Sequence, residues 1–253
     1  MLAVRIIPSL LLSSGGLVKT VKFSKPKYIG DPINAIKIFN EKEVDELILL
    51  DIDSTRLSKK PNFKLIEEIA GECFMPLSYG GGINTLEDIK TILSIGVEKI
   101  IINTAAIENP SFVHSAVKIF GSSTIVISID YKNNFINKPS IYTKNGSFRQ
   151  KIEPLIFAKK MQELGVGEIM FNSIERDGTM SGFDSNFIKN AVDSLNIPVI
   201  ACGGAGSLKH LKELIKDTSI SAIAAGSLFV YYGPNKGILI NYPNYKSLEN
   251  ILN

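Results

Sequence analysis

A Gly-rich pattern occurs twice in this chain, once in each half, and no other feature restricts the fold as tightly. In the first half ELILLDID (Glu46–Asp53) leads to SYGGGI (Ser78–Ile83) and then to KIIINTAA (Lys99–Ala106). In the second half EIMFNSIERDG (Glu168–Gly178) leads to ACGGAG (Ala201–Gly206) and then to AIAAGSL (Ala222–Leu228). Gly80 and Asn103 are 23 residues apart, and so are Gly203 and Gly226. Two such halves imply a duplicated unit with paired anion sites, and therefore a ligand with a phosphate at each end.

Short apolar runs alternate with segments of helical period along the whole length. Strands are expected at Arg5–Leu10, Glu46–Leu50, Met75–Ser78, Lys99–Ile102, Ile125–Ile129, Glu168–Phe171, Val199–Ala201 and Ala222–Ala225. Their Val, Ile and Leu content without polar alternation suits parallel strands covered by helices. Helical patterns fall at Pro32–Asn40, Phe63–Gly71, Leu86–Ile95, Pro110–Phe120, Pro154–Leu164, Ser185–Leu195 and Leu208–Lys216, with a last one near Tyr245–Leu252. Pro110 and Pro154 sit where a first-turn proline belongs, and Gly71 and Gly165 where helices stop. Eight βα units in 253 residues predict an α/β fold, a (β/α)8 TIM barrel of two similar half-barrels, as one domain over 1–253. A doubly wound open sheet is the alternative, and the equal spacing of the halves disfavours it.

Charge and composition narrow the function. A net charge of +3 is too small to point to nucleic acid, while a basic balance suits small anions. Cys73 and Cys202 stand in separate halves beside apolar runs and read as buried free thiols. The opening MLAVRIIPSLLL reads as a buried first strand rather than a signal peptide, because no small-residue cleavage site follows. No run approaches the roughly 20 apolar residues of a membrane span, so a cytoplasmic protein is expected.

In such a barrel the chemistry sits at the C-terminal ends of the strands. The turn ending in Gly82, with Asn103 and Thr104, can offer backbone N–H groups to one phosphate. Gly203 and Gly204, with Ala225, Gly226 and Ser227, repeat the arrangement for another. Glycine admits close backbone approach, and the helix starts that follow favour anions. Tight turns with no ligand would explain one such set but not two at equal spacing. Lys19, in the Gly-containing loop after strand one, could reach a phosphate, and Asp177 and Gly178 lie in the loop after strand six. Asp130 ends strand five, where a general acid or base would stand, although aspartate there also serves as a cap or loop former. Asp51 and Asp53 end strand two in the same way. His114 and His210 fall within helices as exterior or packing residues. Metal-ligand spacing is absent, and no metal or cofactor is expected.

A second set of charges marks strand starts: Arg5, Glu46, Lys99 and Glu168. Strand parity carries Lys99, Ile101 and Asn103 onto one face, so Lys99 faces the same interior that Asn103 serves above. The four form either a solvated rim of weak ion pairs or a charged ring over the barrel axis. Pattern alone leaves both open.

Over about residues 1–230 the chain resembles the cyclase subunit of imidazole glycerol phosphate synthase. The matching stretches are MLAVRII, DELILLDI, the GGGI turn, INTAAIENPS, the strand ending in Asp130, EIMFNSIERDGTMSG, and GGAG followed by AAGS. The resemblance implies a TIM barrel acting as a lyase-type cyclase on a bis-phosphate ligand. It also implies a heterodimer, with a HisH-type glutaminase docked at the barrel bottom and ammonia passed up the axis. Arg5, Glu46, Lys99 and Glu168 match the family's gate residues. The chain departs from the family at Leu11, in IIPSLLLSSGG, where the pattern has the aspartate that pairs with Asp130. Leucine cannot transfer a proton, and Leu12 offers no shifted substitute. The tail 231–253, with GPNKGILINYPNY, is also unlike the ordinary cyclase end. An intact gate beside a lost acid resembles the relatives that supply ammonia to a sugar amidotransferase for surface polysaccharide (lipopolysaccharide) synthesis. The ordinary histidine-pathway cyclase is the alternative. A barrel that only activates its glutaminase is a third reading, against which Asp130, both Gly-rich sites and Lys19 argue.

Overall fold

The computed structural model describes residues 4–134 and 138–252, so Met1 to Ala3 of the expected opening match lie outside the described residues. In chain order the strands begin with β1 (Arg5–Ser13), β2 (Gly16–Val21), β3 (Ser24–Gly30), β4 (Leu47–Asp51), β5 (Leu77–Gly80), β6 (Lys99–Ile102) and β7 (Ile125–Asn133). They continue with β8 (Pro139–Thr143), β9 (Phe148–Arg149), β10 (Glu168–Ser173), β11 (Val199–Cys202), β12 (Ala222–Ala225), β13 (Tyr231–Tyr232) and β14 (Gly237–Ile238). Eight of them, β1, β4 to β7 and β10 to β12, pair side by side in parallel, and the barrel closes where β12 meets β1. The expected TIM barrel is the observed architecture.

The helices are α1 (Pro32–Glu41), α2 (Phe63–Glu72), α3 (Leu86–Ser94), α4 (Thr104–Glu108), α5 (Pro110–Phe120), α6 (Pro154–Glu163), α7 (Ser185–Ser194), α8 (Leu208–Asp217), α9 (Ser227–Val230) and α10 (Tyr245–Leu252). Local chemistry explains their starts. Asp31 and Glu153 accept N-terminal amide hydrogens ahead of Pro32 and Pro154, and Thr85 and Asp88 form a reciprocal capping box. The duplicated halves show in one detail. The last strand of each half, β6 or β12, runs straight into a very short helix, α4 or α9, whose first turn no side chain caps.

Alternating strand residues divide the interior in two. Outward residues such as Ile6, Leu10, Leu47, Leu49, Ile127 and Phe171 pack under the helices. Inward residues Ile7, Ile48, Ile101, Val126, Met170, Ile200, Ala222 and Ala224 fill the barrel waist. Two antiparallel excursions depart from the sequence reading. The hairpin of β2 and β3 extends β1, and β8 and β9 extend β7. Strand one consequently runs to Ser13 rather than Leu10, and Asp130 lies within β7 rather than at its end. At the seam, the buried Tyr242 hydroxyl donates to the Ile6 carbonyl at 2.8 Å, joining the last segment of the chain to its first strand.

Candidate functional site from barrel floor to mouth

The four strand-start charges form one closed ring rather than a solvated rim. Arg5 bonds Glu46 at 2.5 Å and Glu168 at 2.9 Å, while Lys99 reaches Glu46 at 3.3 Å and Glu168 at 3.2 Å. Each anion thus meets both cations. Glu46 is 4% exposed, and its Oε1 also accepts from Ser78 Oγ at 3.0 Å. Charges this buried persist because each has a partner. Directly above lies the waist, where Ile7, Ile48, Ile101, Val126, Met170, Ile200, Ala222 and Ala224 pack together, with the Ser9, Ser78 and Ser128 hydroxyls on the neighbouring strands.

Above the waist the barrel opens into a cavity of about 480 Å3. Its wall includes Leu11, Lys19, Asp51, Gly82, Asn103, Thr104, Asp130, Asn172, Asp177, Gly178, Cys202, Gly203, Gly204, Ala225, Gly226 and Ser227. The structure therefore gathers every expected phosphate-site residue around one space. Asp130 is the most perturbed acid there. Burial, with the Asp177 charge next, raises its carboxyl to about 7, against hydrogen bonding from Asn172 and Ser128. Asn103 Nδ2 donates to it at 3.2 Å. A carboxyl poised near neutrality is suited to move a proton in either direction. Across the cavity Leu11, paired with Leu50 of β4 and Val18 of β2, presents only methyl groups.

Several placements differ from the sequence reading. Lys19 belongs to strand β2, not to a loop, and it is 5% exposed with its amine packed against Gly226. Among the described residues that amine makes no hydrogen bond or ion pair. Burial holds its pKa below the ordinary value, against the pull of Asp177 and Cys202. Asp177 is itself buried and accepts from Thr20 Oγ1 at 2.8 Å. Cys202 lines the cavity, but burial and then the Asp177 charge push its thiol up to about 12, so it is not a thiolate nucleophile. Asp51 offers no substitute for the acid missing at Leu11. Both its oxygens already accept, from the Asp53 and Ser54 amides and the Ser54 hydroxyl. His114 is exposed on α5, and His210 of α8 accepts from the Gly206 amide. Among the described residues no cluster of three or more His, Cys, Asp or Glu could hold a metal.

A family model described as "Histidine biosynthesis protein" matches residues 5–234. The chain belongs to that family. Among its relatives is a Pseudomonas aeruginosa protein with the provisional name imidazole glycerol phosphate synthase subunit hisF2. It is 54% identical over 97% of this chain and 98% of its own length. Proteins provisionally named as the HisF subunit in Leptospira interrogans and the hisF3 subunit in Vibrio vulnificus are 50% and 46% identical. They match over 98% and 96% of this chain, and over 98% and 94% of their own lengths. In this HisF-type barrel no described helix is long and apolar enough to cross a membrane.

Three residues that line the cavity escaped the sequence reading. Thr55 accepts from the Gly82 amide at 3.2 Å, and the Lys144 amide donates to Thr104 Oγ1 at 3.1 Å. Both sit in loops with no periodic signal. Asn172, 7% exposed, faces the cavity beside Asp130. Strand parity holds its signal, since Glu168, Met170 and Asn172 share one face and a polar amide interrupts it.

Proposed function

We propose that this protein is the ammonia-conducting synthase subunit of a glutamine-dependent pair. A HisH-type glutaminase docks at the barrel floor in the cytoplasm, and the ammonia serves amidotransfer to a sugar in surface polysaccharide synthesis. The observation that carries the reading is the stack along one axis: a closed ion-pair ring, a largely aliphatic waist, and a glycine-lined cavity with Leu11 at the position of the second acid. Ammonia crosses such a waist uncharged, whereas ammonium would be stripped of water with little to replace it. The ring bars the floor until the Lys99 amine leaves its two carboxylates, a small motion that docking would drive.

The cavity's glycine turns, its two uncapped helix starts and the unpaired Lys19 amine suit a ligand with two phosphates, and Gly178 and Asp177 border the second. Asp130 remains to shuttle a proton. Its partner is gone, and losing one of an acid–base pair slows a reaction by about 10²–10⁴-fold. The reading therefore keeps ligand binding and gives up the cyclisation.

Reconstitution with a HisH-type glutaminase and the bis-phosphate histidine precursor tests this. Turnover at ordinary rates would return the protein to the histidine pathway, the second reading, which Asp130 and the two glycine cradles favour. Absence of turnover, with rescue by Leu11→Asp, supports the divergent role. A glutaminase that docks but stays idle until a sugar amidotransferase is added identifies the consumer of the ammonia.

A further inference from the structure

Among the described residues two side-chain oxygens are buried without any hydrogen-bond partner, Glu168 Oε2 and Asn172 Oδ1. Both belong to β10 and share its inward face, with Met170 of the aliphatic waist between them. They therefore bracket the waist, about 13 Å apart along the strand. One lies at its foot inside the ion-pair ring, the other at its head where the cavity begins. The Asn172 amide has a defined orientation. Its neighbour in register is Asp130, whose carboxylate its nitrogen serves, and Oδ1 is left beside the Gly203 turn. A buried acceptor left open in this way marks a place where a small donor completes the structure.

We propose that Asn172 Oδ1 is a binding site for ammonia at the head of the waist, a positioning residue that accepts one N–H as the molecule enters the cavity. Ammonia has three N–H donors and a single lone pair. A partner that accepts from it leaves the lone pair free, and one that donates to it does not. An amide oxygen accepts and carries no acidic proton, so it holds ammonia without converting it to ammonium. The neighbouring groups define the site further. Asp130 and Cys202 are its register partners on the two adjoining strands, and Ser128 lies two residues before Asp130 toward the floor. The identity of the occupant rests on the conduit reading above, while the orphaned acceptor is independent of it.

The test uses the full-length ¹⁵N-labelled protein titrated with ammonium chloride at alkaline pH, where much of the ammonia is uncharged. Sodium chloride and trimethylamine serve as controls, and the Asn172 side-chain amide and Gly203 backbone amide resonances are the readout. A saturable shift of both with ammonium chloride alone is expected, and Asn172→Leu abolishes the Gly203 shift. Asn172→Ala, which removes the acceptor without placing a second carboxyl beside Asp130, should likewise abolish the Gly203 shift. That second variant carries the test if Asn172→Leu fails to fold. No saturable shift in the wild type, or a Gly203 shift unchanged in both variants, overturns the proposal. The two readings fail separately. Saturable binding in a protein that couples to no glutaminase keeps the site and defeats the conduit. Coupling whose split between transferred and released glutamine nitrogen is untouched by Asn172→Leu keeps the conduit and defeats the site.

Discussion

The two glycine cradles follow one pattern, yet the polar groups around the first are more fully committed to protein partners than those around the second. In the first, the Gly82 amide donates to Thr55 and the Thr104 hydroxyl receives the Lys144 amide. The nearby acids are likewise committed, Asp51 to its own turn and Asp53 to Ser13 and Arg56. The second cradle has the Lys19 amine against Gly226 with no bond of its own, and Asp177 and Cys202 lie close enough to act on its charge. Equal spacing in sequence has therefore produced unequal sites. The first is largely satisfied as it stands, whereas the second holds a buried cation offset only by the neighbouring Asp177. Anion binding energy should concentrate there.

The steepest contrast lies in the backbone. Gly204 has φ +111°, and a Cβ on it would collide with the Gly182 carbonyl, whose own amide bonds back to Gly204. Gly204→Ala is expected to destabilise by about 4 kcal/mol or more. Gly82→Ala, where φ is +72° and a Cβ would meet the Ser54 side chain at 2.8 Å and the Lys59 carbonyl at 2.9 Å, should lose roughly half as much because these contacts are less severe than the one at Gly204. Urea unfolding of the pair checks the ranking, and equal losses would mean the cradles are equally rigid.

Asp130, bonded by Asn103 of the first set and raised in part by Asp177 beside the second, supplies a pH test of the space between them. Its carboxyl, raised to about 7, stays protonated in the folded chain while the unfolded chain ionises from its ordinary value of 3.8. Folded stability therefore falls as pH rises from about 4 to about 7 and then levels, at a limiting slope of about 1.4 kcal/mol per pH unit. Asp130→Asn should match the wild type at pH near 4 and exceed it at pH near 8, by a few kcal/mol at most. Melting the two proteins across that range decides, and parallel profiles would refute the perturbed acid.

Lys19→Met should separate folding from binding. Removing a buried amine without a partner is expected to stabilise the unliganded protein slightly, by about 1 kcal/mol, and to weaken inorganic phosphate binding about 10- to 100-fold. Lys144→Ala, at the exposed rim of the first cradle, should alter that affinity by less than about threefold, since it removes only a surface pair with Glu108. Calorimetry on both variants distinguishes the cradles, and a larger loss at Lys144 would reverse their order. The smallest effect belongs to Thr55→Val. It frees the Gly82 amide for a ligand at a stability loss of about 1 kcal/mol, so phosphate affinity at the first cradle should rise as denaturant resistance falls.

The eight barrel strands were legible because buried parallel strands leave unbroken apolar runs, and the two Gly-rich sets marked turns that line one cavity. The charged ring was visible only as four strand starts. Whether it closed depended on barrel geometry, which brings Arg5 and Glu168 together across 163 residues. The helices α4 and α9 went unseen because five and four residues are too few to show a period. The hairpin of β2 and β3 hid for a different reason. Its β3 is almost wholly exposed, so its composition reads as loop, and Lys19 was placed outside the sheet for that reason. Asn172 was overlooked although its parity was readable. The unequal commitment of the cradles' polar groups depends on Thr55 and Lys144, which reach their partners by tertiary contact alone.

The bond from Tyr242 to the Ile6 carbonyl spans 236 positions and lies beside the β1–β12 seam. A ribosome releases β1 first and β12 near the end, so during synthesis Arg5 and its strand wait with one edge open. Loop-closure entropy rises only slowly with length, which makes the late joining affordable in energy but slow in time. The β1–β12 seam is thus among the last contacts of the barrel to form, and a nascent chain that lacks β12 has an open sheet where the folded protein has a closed one.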